Sequence, residues 1–210
     1  MTRAEELLDF ATGVKGFMPP DEGLALYRHG RTRGDESPSG TWLEVGAWCG
    51  KSAVYLGAAA EPSTSVLYSL DHHHGSEENQ MGWEHFDPSL VDEHDGRLNT
   101  LPTWQRTIAD AHLEATVLGL VGASLVVARH FAQPLDLLFI DGGHGADVAW
   151  ADYEAWTSKV VPGGLLMIHD VFADAADGGR PPYEIYLAAL ESAAFVDVEA
   201  VGSLRVLRRT

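Results

Sequence analysis

Residues 41–52 read TWLEVGAWCGKS, and their pattern decides the fold. Thr41–Val45 is a short apolar run suited to a buried strand. Gly46 and Gly50 bracket a tight turn, and Lys51–Ala60 (KSAVYLGAAA) is rich in helix formers. A strand, a glycine turn and a helix in succession make the first half of a βαβ unit. The glycines let the backbone turn sharply and let a ligand come close. The helix start offers free N–H groups to a polar or negative group.

Outward from this turn the same alternation repeats. Strands are expected at 66–70, 116–121, 135–140 and 165–168, then 195–200 and 203–208. Helices are expected at 3–12, 21–29, 104–112 (capped by Thr103), 125–131, 147–158 and 183–193. Gly30–Gly40 (GRTRGDESPSG) reads as a polar loop, and Pro162-Gly163-Gly164 as a turn. Strands alternating with helices predict an α/β fold around a mostly parallel sheet. With 210 residues, 45% of them hydrophobic, the chain fits one domain with a sizeable core. Residues 1–37 form a helical cap, and 72–103 a long, polar insertion of the kind that serves as a lid.

The spacing sorts the nucleotide ligands such a turn serves. A dinucleotide site needs glycines at G-x-G-x-x-G, but Trp48 and Lys51 fill the later positions. A P-loop needs four residues between its first glycine and Gly-Lys-Ser; here Ala47, Trp48 and Cys49 make one too few. What remains is acidic-x-G-x-x-x-G, followed by Asp71 at the end of the next strand. A carboxylate there can accept both ribose hydroxyls of an adenosine-type ligand.

Charge and cysteine content narrow the partners. Fourteen basic against 31 acidic residues give a formal net charge of −17. That surface disfavours nucleic acid and anionic membranes, leaving a small molecule as the expected substrate. Cys49 is the single cysteine, so no intramolecular disulfide can form. Its place in the turn suits a small packing residue. Residues 1–10 (MTRAEELLDF) carry acids where a secretory leader needs an apolar run, so a cytoplasmic location is expected.

The stretch WLEVGAWCGKS, with Ile140-Asp-Gly-Gly-His144, Asp152, Trp156 and Pro162-Gly-Gly-Leu-Leu-Met-Ile-His-Asp170, resembles the class I S-adenosylmethionine (SAM)-dependent methyltransferases. The likeness is to the branch of small-molecule O-methyltransferases and cephalosporin-hydroxylase-like proteins (methyltransferase family 24 type), and it covers about residues 15–172. It implies a Rossmann-like fold, a seven-stranded sheet with a reversed last hairpin and helices on both faces, and a homodimer. It assigns Glu44, Gly46, Ala47, Gly50, Ser52, Asp71, His72 and Asp141 to the SAM site, with Ala123 and Ser124 beside the adenine. Many members of the family have an acid where Ala123 stands here.

Methyl transfer to a hydroxyl needs the acceptor aligned and its proton removed. Asp141 and Asp170 end neighbouring strands. Hard oxygen ligands suit magnesium, manganese or calcium, and His169 is available to complete the set where the family usually places a further carboxylate or amide after the aspartate. His144, three residues past Asp141, is the expected general base alongside Asp141. The run His72-His73-His74 offers His72 and His74 on one face of an extended segment. Trp83, His85, Phe86 and Trp104 are expected to wall an acceptor pocket. A metal-dependent hydroxylase or hydrolase on the same fold, a non-catalytic SAM-binding protein, and a P-loop phosphotransferase that ATP binding would reveal, are the alternatives left open.

Overall fold

A computed structural model describes residues 1–210 apart from 77, 78, 84, 144, 175 and 177. Its strands are β1 (Thr41–Val45), β2 (Val66–Asp71), β3 (Val117–Val121), β4 (Leu135–Ile140), β5 (Val160–Ile168), β6 (Phe195–Val201) and β7 (Leu204–Arg209). They form one seven-stranded sheet in the order β3-β2-β1-β4-β5-β7-β6. The pairings from β3 across to β5 are parallel, whereas β7 runs antiparallel to both β5 and β6. The sheet is therefore mostly parallel, with a reversed last hairpin. Strand order reverses between β1 and β4, the point at which open α/β sheets leave a crevice beyond their carboxyl ends.

Alternate strand residues feed two cores. Trp42, Leu137, Phe139 and Met167 pack with α1 (Arg3–Gly13), α2 (Pro20–Glu36), α3 (Lys51–Ala60) and α4 (Leu101–Asp110). Leu43, Leu138, Ile140 and Ile168 pack with α5 (Ser124–His130), α6 (Ala146–Trp156) and α7 (Pro181–Glu191). A period of two thus sends neighbouring residues to opposite helical layers. Helix α3 is buried at every position from Ser52 to Ala60, which its small side chains allow. Among the described residues no helix is long and apolar enough to cross a membrane.

Three expectations need correction. Most of Gly30–Gly40 is not a loop, because α2 continues to Glu36 and only residues 37–40 connect it to β1. Its glycines serve close packing: a Cβ on Gly30 would lie 2.9 Å from that of Ala59, and one on Gly34 2.6 Å from Ser63 Oγ. Arg33 on the same turn pairs with Asp136 at 2.5 Å. The Pro162-Gly163-Gly164 segment is not a turn but part of β5, where Gly163 takes φ +76° near a register shift against β4. Helix α4 starts at Leu101, not 104, and Thr103 does not cap it; Thr100 holds the N-cap position.

Candidate active site at the carboxyl edge of the sheet

The ends of β1, β2 and β4 meet at Gly46. Its N–H donates to the Leu70 carbonyl at 2.9 Å. A Cβ at this residue would fall 2.1 Å from the Asp141 carbonyl oxygen, and φ is +92°. Only glycine meets both demands. Gly50, also at φ +92°, is the N-cap of α3, and among the described residues no side chain caps this helix. The first-turn amides are left for another acceptor.

Asp71 holds the turn in shape. One carboxylate oxygen accepts from the amides of Ala47 (2.9 Å) and Trp48 (2.8 Å), the other from that of His73 (2.7 Å). A carboxylate has about four acceptor positions, so one remains for a ligand hydroxyl. Asp71 is thus first a brace for the glycine turn, a role the sequence reading did not foresee.

Glu44 lies beneath the turn, wholly buried. Its oxygens sit 2.9 Å from Ser52 Oγ and 2.5 Å from Ser69 Oγ, hydroxyls that donate to it when it is charged. Ser69 in turn accepts from the Trp104 indole N–H at 3.0 Å. Burial pushes the Glu44 carboxyl up to about 8, against these hydrogen bonds. Glu44 and Ser52 are therefore joined behind the turn, and no surface of Glu44 is open to a ligand. Ala47 is buried as well.

Trp104, expected in the pocket wall, is instead core, 6% exposed and packed against Gly119. Cys49 is buried, and desolvation pushes its thiol up to about 12, which suits packing rather than nucleophilic chemistry.

At the end of β3, Ala123 is exposed and begins α5. The Ser124 hydroxyl accepts from Trp156 Nε1 at 2.8 Å. Nearby Asp152 is buried, and burial raises its carboxyl against a hydrogen bond from Ser124. His72 is exposed, its ring stacked on that of His74 at 6.0 Å. The middle histidine, His73, is buried and bonded through Nδ1 to Thr100. Desolvation lowers its basicity.

The middle of the insertion is tied to the chain ahead of α2. Lys15 Nζ pairs with Asp87 at 2.5 Å, and Phe17 packs on Trp48 and His85. A hollow of about 350 Å³ opens within the insertion, lined by His74, Gln80, Met81, Phe86, Arg97 and Leu98 among others. Trp83 lies 61% exposed and is not one of its walls.

The structure brings Asp141, His169 and Asp170 together, each with a ligand atom within 4.8 Å of the others'. His169 Nδ1 lies 2.9 Å from Asp141 Oδ1 and 3.5 Å from Asp170 Oδ2, and Nε2 lies 2.5 Å from Glu22 Oε2. Burial alone would lower the basicity of His169. The Asp141 charge and the hydrogen bonds that the ring donates to Asp141, Asp170 and Glu22 outweigh it and hold the ring well above its ordinary range. Carboxylates at both nitrogens favour the protonated ring. For Glu22 burial acts upward, but the His169 and Ser203 contacts prevail and its carboxyl titrates below the usual range. Asp170 sits at φ +54°, a conformation aspartate tolerates better than most residues. His144 lies outside the described residues. Glu22 was not singled out from the sequence, since one acid in the first turn of an amphipathic helix carries no signal of burial.

Both motif blocks, the first from Leu43 onward, fall inside one family match: residues 43–171 match the family described as methyltransferase domain. The chain belongs to this family. The methyltransferase fold recurs in solved structures of low identity. The O-methyltransferase from Bacillus cereus, in complex with SAH, is 16% identical at a TM-score of 0.66, with 99% of this chain and 90% of that one covered. The O-methyltransferase TomG from Streptomyces achromogenes, involved in tomaymycin synthesis and in complex with SAM, is 14% identical at 0.64, covering 100% and 90%. The SAH-bound methyltransferase PaMTH1 from Podospora anserina is 11% identical at 0.65, covering 100% and 88%.

Proposed function

We propose that this methyltransferase carries the methyl group of SAM to a hydroxyl oxygen of a small-molecule acceptor. The observation that carries the reading is the meeting, at one sheet edge within the matched family segment, of a braced glycine turn and a cluster of two aspartates and a histidine. Bound SAM supplies a methyl on a positive sulfonium, already activated for displacement. The chain's own groups bind and align. Asp71 has one acceptor position left for a ribose hydroxyl, the uncapped start of α3 takes a negative group, and Gly122–Ser124 present little side-chain bulk beside the adenine. In the reading, Asp141 and His144 orient the acceptor hydroxyl and take its proton as the new C–O bond forms.

The same cluster fits a divalent cation, magnesium, manganese or calcium. The donor atoms are hard oxygens and an imidazole nitrogen within 4.8 Å. The far nitrogen of His169 rests on the Glu22 carboxylate, as that of a metal-bound histidine does. Asp141, Asp170 and His169 would hold the ion, which lowers the pKa of a bound hydroxyl. The insertion 72–103 is read as the lid that selects the acceptor, and the protein as a cytoplasmic homodimer.

Calorimetry with SAM and SAH tests the donor end. Both are expected to bind in the micromolar range, about −8 kcal/mol. The absence of both heat and a thermal shift at millimolar ligand would overturn the reading.

A further inference from the structure

We propose that Glu22 is a positioning residue of the acidic edge, fixing the His169 ring so that Nε2 keeps its proton while Nδ1 faces the Asp141–Asp170 gap, where a cation can take the place of its proton. The inference rests on the cation reading above and names a residue outside the matched segment that serves it.

Three distant parts of the chain build the device. Glu22 comes from α2, His169 from the end of β5, and Ser203 from the turn between β6 and β7. Glu22 and His169 are 3% and 5% exposed. Two buried ionisable groups on different elements are costly unless each satisfies the other, so their pairing constrains the geometry strongly.

A carboxylate only accepts, and each Glu22 oxygen already has its donor. Oε1 takes the Ser203 amide at 2.6 Å, and the Ser203 hydroxyl lies 3.2 Å away. Oε2 faces His169 Nε2 at 2.5 Å, so Nε2 must carry hydrogen. The carboxylate cannot turn away: a Cβ on Gly202 would lie 2.1 Å from Oε1, so the hairpin turn closes directly on it. With Nε2 committed, Nδ1 is the atom that can exchange its proton for a metal ion. Its neighbours there are Asp141 and Asp170. Helix α2, read from the sequence as part of a cap, thereby reaches the chemical edge of the sheet.

Glu22→Gln separates positioning from packing, because it keeps the shape and reverses one hydrogen bond. The Ser203 amide still needs an acceptor and takes the glutamine oxygen. The glutamine NH2 group then faces His169 Nε2 and can only donate. Nε2 gives up its proton and becomes an acceptor, so the remaining ring proton is held on Nδ1, where it blocks a cation. Two readouts follow: calorimetric titration with Mn²⁺, and ¹⁵N NMR of the His169 ring with and without Mg²⁺. In the wild type with Mg²⁺, Nε2 should stay protonated and Nδ1 should not. Glu22→Gln should bind Mn²⁺ about 10- to 100-fold more weakly, with Nδ1 protonated and SAH affinity unchanged. Equal Mn²⁺ affinity in the two proteins overturns the role of Glu22 and leaves the cation reading standing. A wild type that binds no Mn²⁺, or binds it as tightly as Asp170→Asn does, overturns the cation reading and this inference with it, while SAH binding judges methyl transfer separately. If Glu22→Gln does not fold, the wild-type spectrum decides, and an Nδ1 still protonated in the Mg²⁺-bound protein refutes the proposal.

Discussion

Glu44→Gln probes the buried carboxyl beneath the glycine turn, and its effect on stability should grow with pH. Glu44 is wholly enclosed, with Ser69 Oγ 2.5 Å and Ser52 Oγ 2.9 Å away. Ser69 already accepts from Trp104 Nε1, so its own hydroxyl donates to Glu44. A protonated Glu44 then passes its hydrogen to Ser52. Glutamine reproduces this pattern, with its oxygen toward Ser69 and its NH2 group toward Ser52, but cannot ionise. Burial raises the carboxyl from its ordinary 4.5 to about 8. Between those values the native wild type keeps a proton that the unfolded chain releases. The stabilising contribution is therefore full below about pH 4.5 and is lost as pH rises through about 8. At about 1.4 kcal/mol per pH unit over this window, the wild type loses about 5 kcal/mol that the glutamine variant does not. Urea denaturation of both proteins at about pH 5, 7 and 9 measures the difference, in which the titration of other groups largely cancels. The variant should be close to the wild type at the lowest pH and the more stable by several kcal/mol at the highest. A difference that stays flat, or a wild type that is the more stable at pH 9, refutes the buried neutral acid.

Two further outcomes follow from the turn. Gly46→Ala places a Cβ 2.1 Å from the Asp141 carbonyl oxygen at φ +92°, and should cost more than about 2 kcal/mol in denaturant unfolding; a loss below about 0.5 kcal/mol would show that the strand ends do not meet as described. Asp71→Asn leaves one oxygen for three backbone donors, so stability should fall by about 1–3 kcal/mol and SAH affinity by tenfold or more, checked by thermal melts and calorimetry, and an unchanged melt would remove the bracing role.

The parallel sheet, the glycine turn, Asp71 and the acidic strand ends were legible in the sequence because each has a local cause. Strand and helix periodicities, a glycine at φ > 0 and an acid at a strand's end are written within a few residues of one another. The helical run through Gly30 and Gly34 was not legible, since glycine signals a turn locally and close packing only when Trp42, Ala59 and Ser63 are known to lie opposite. The course of β5 through Pro162-Gly163-Gly164 likewise depends on β4 beside it. At the site, the sequence supplied the residue types and the fold supplied their partners. Asp71 turned inward to the backbone amides, Glu44 closed onto Ser52 and Ser69, and Trp104 left the expected pocket wall for the core. Glu22 lies 147 positions from His169 and 181 from Ser203. No spacing rule spans such distances. Their meeting is decided by how α2 lies against the sheet and where the last hairpin turns, because hydrogen bonds between distant segments exist only once packing has brought the segments together.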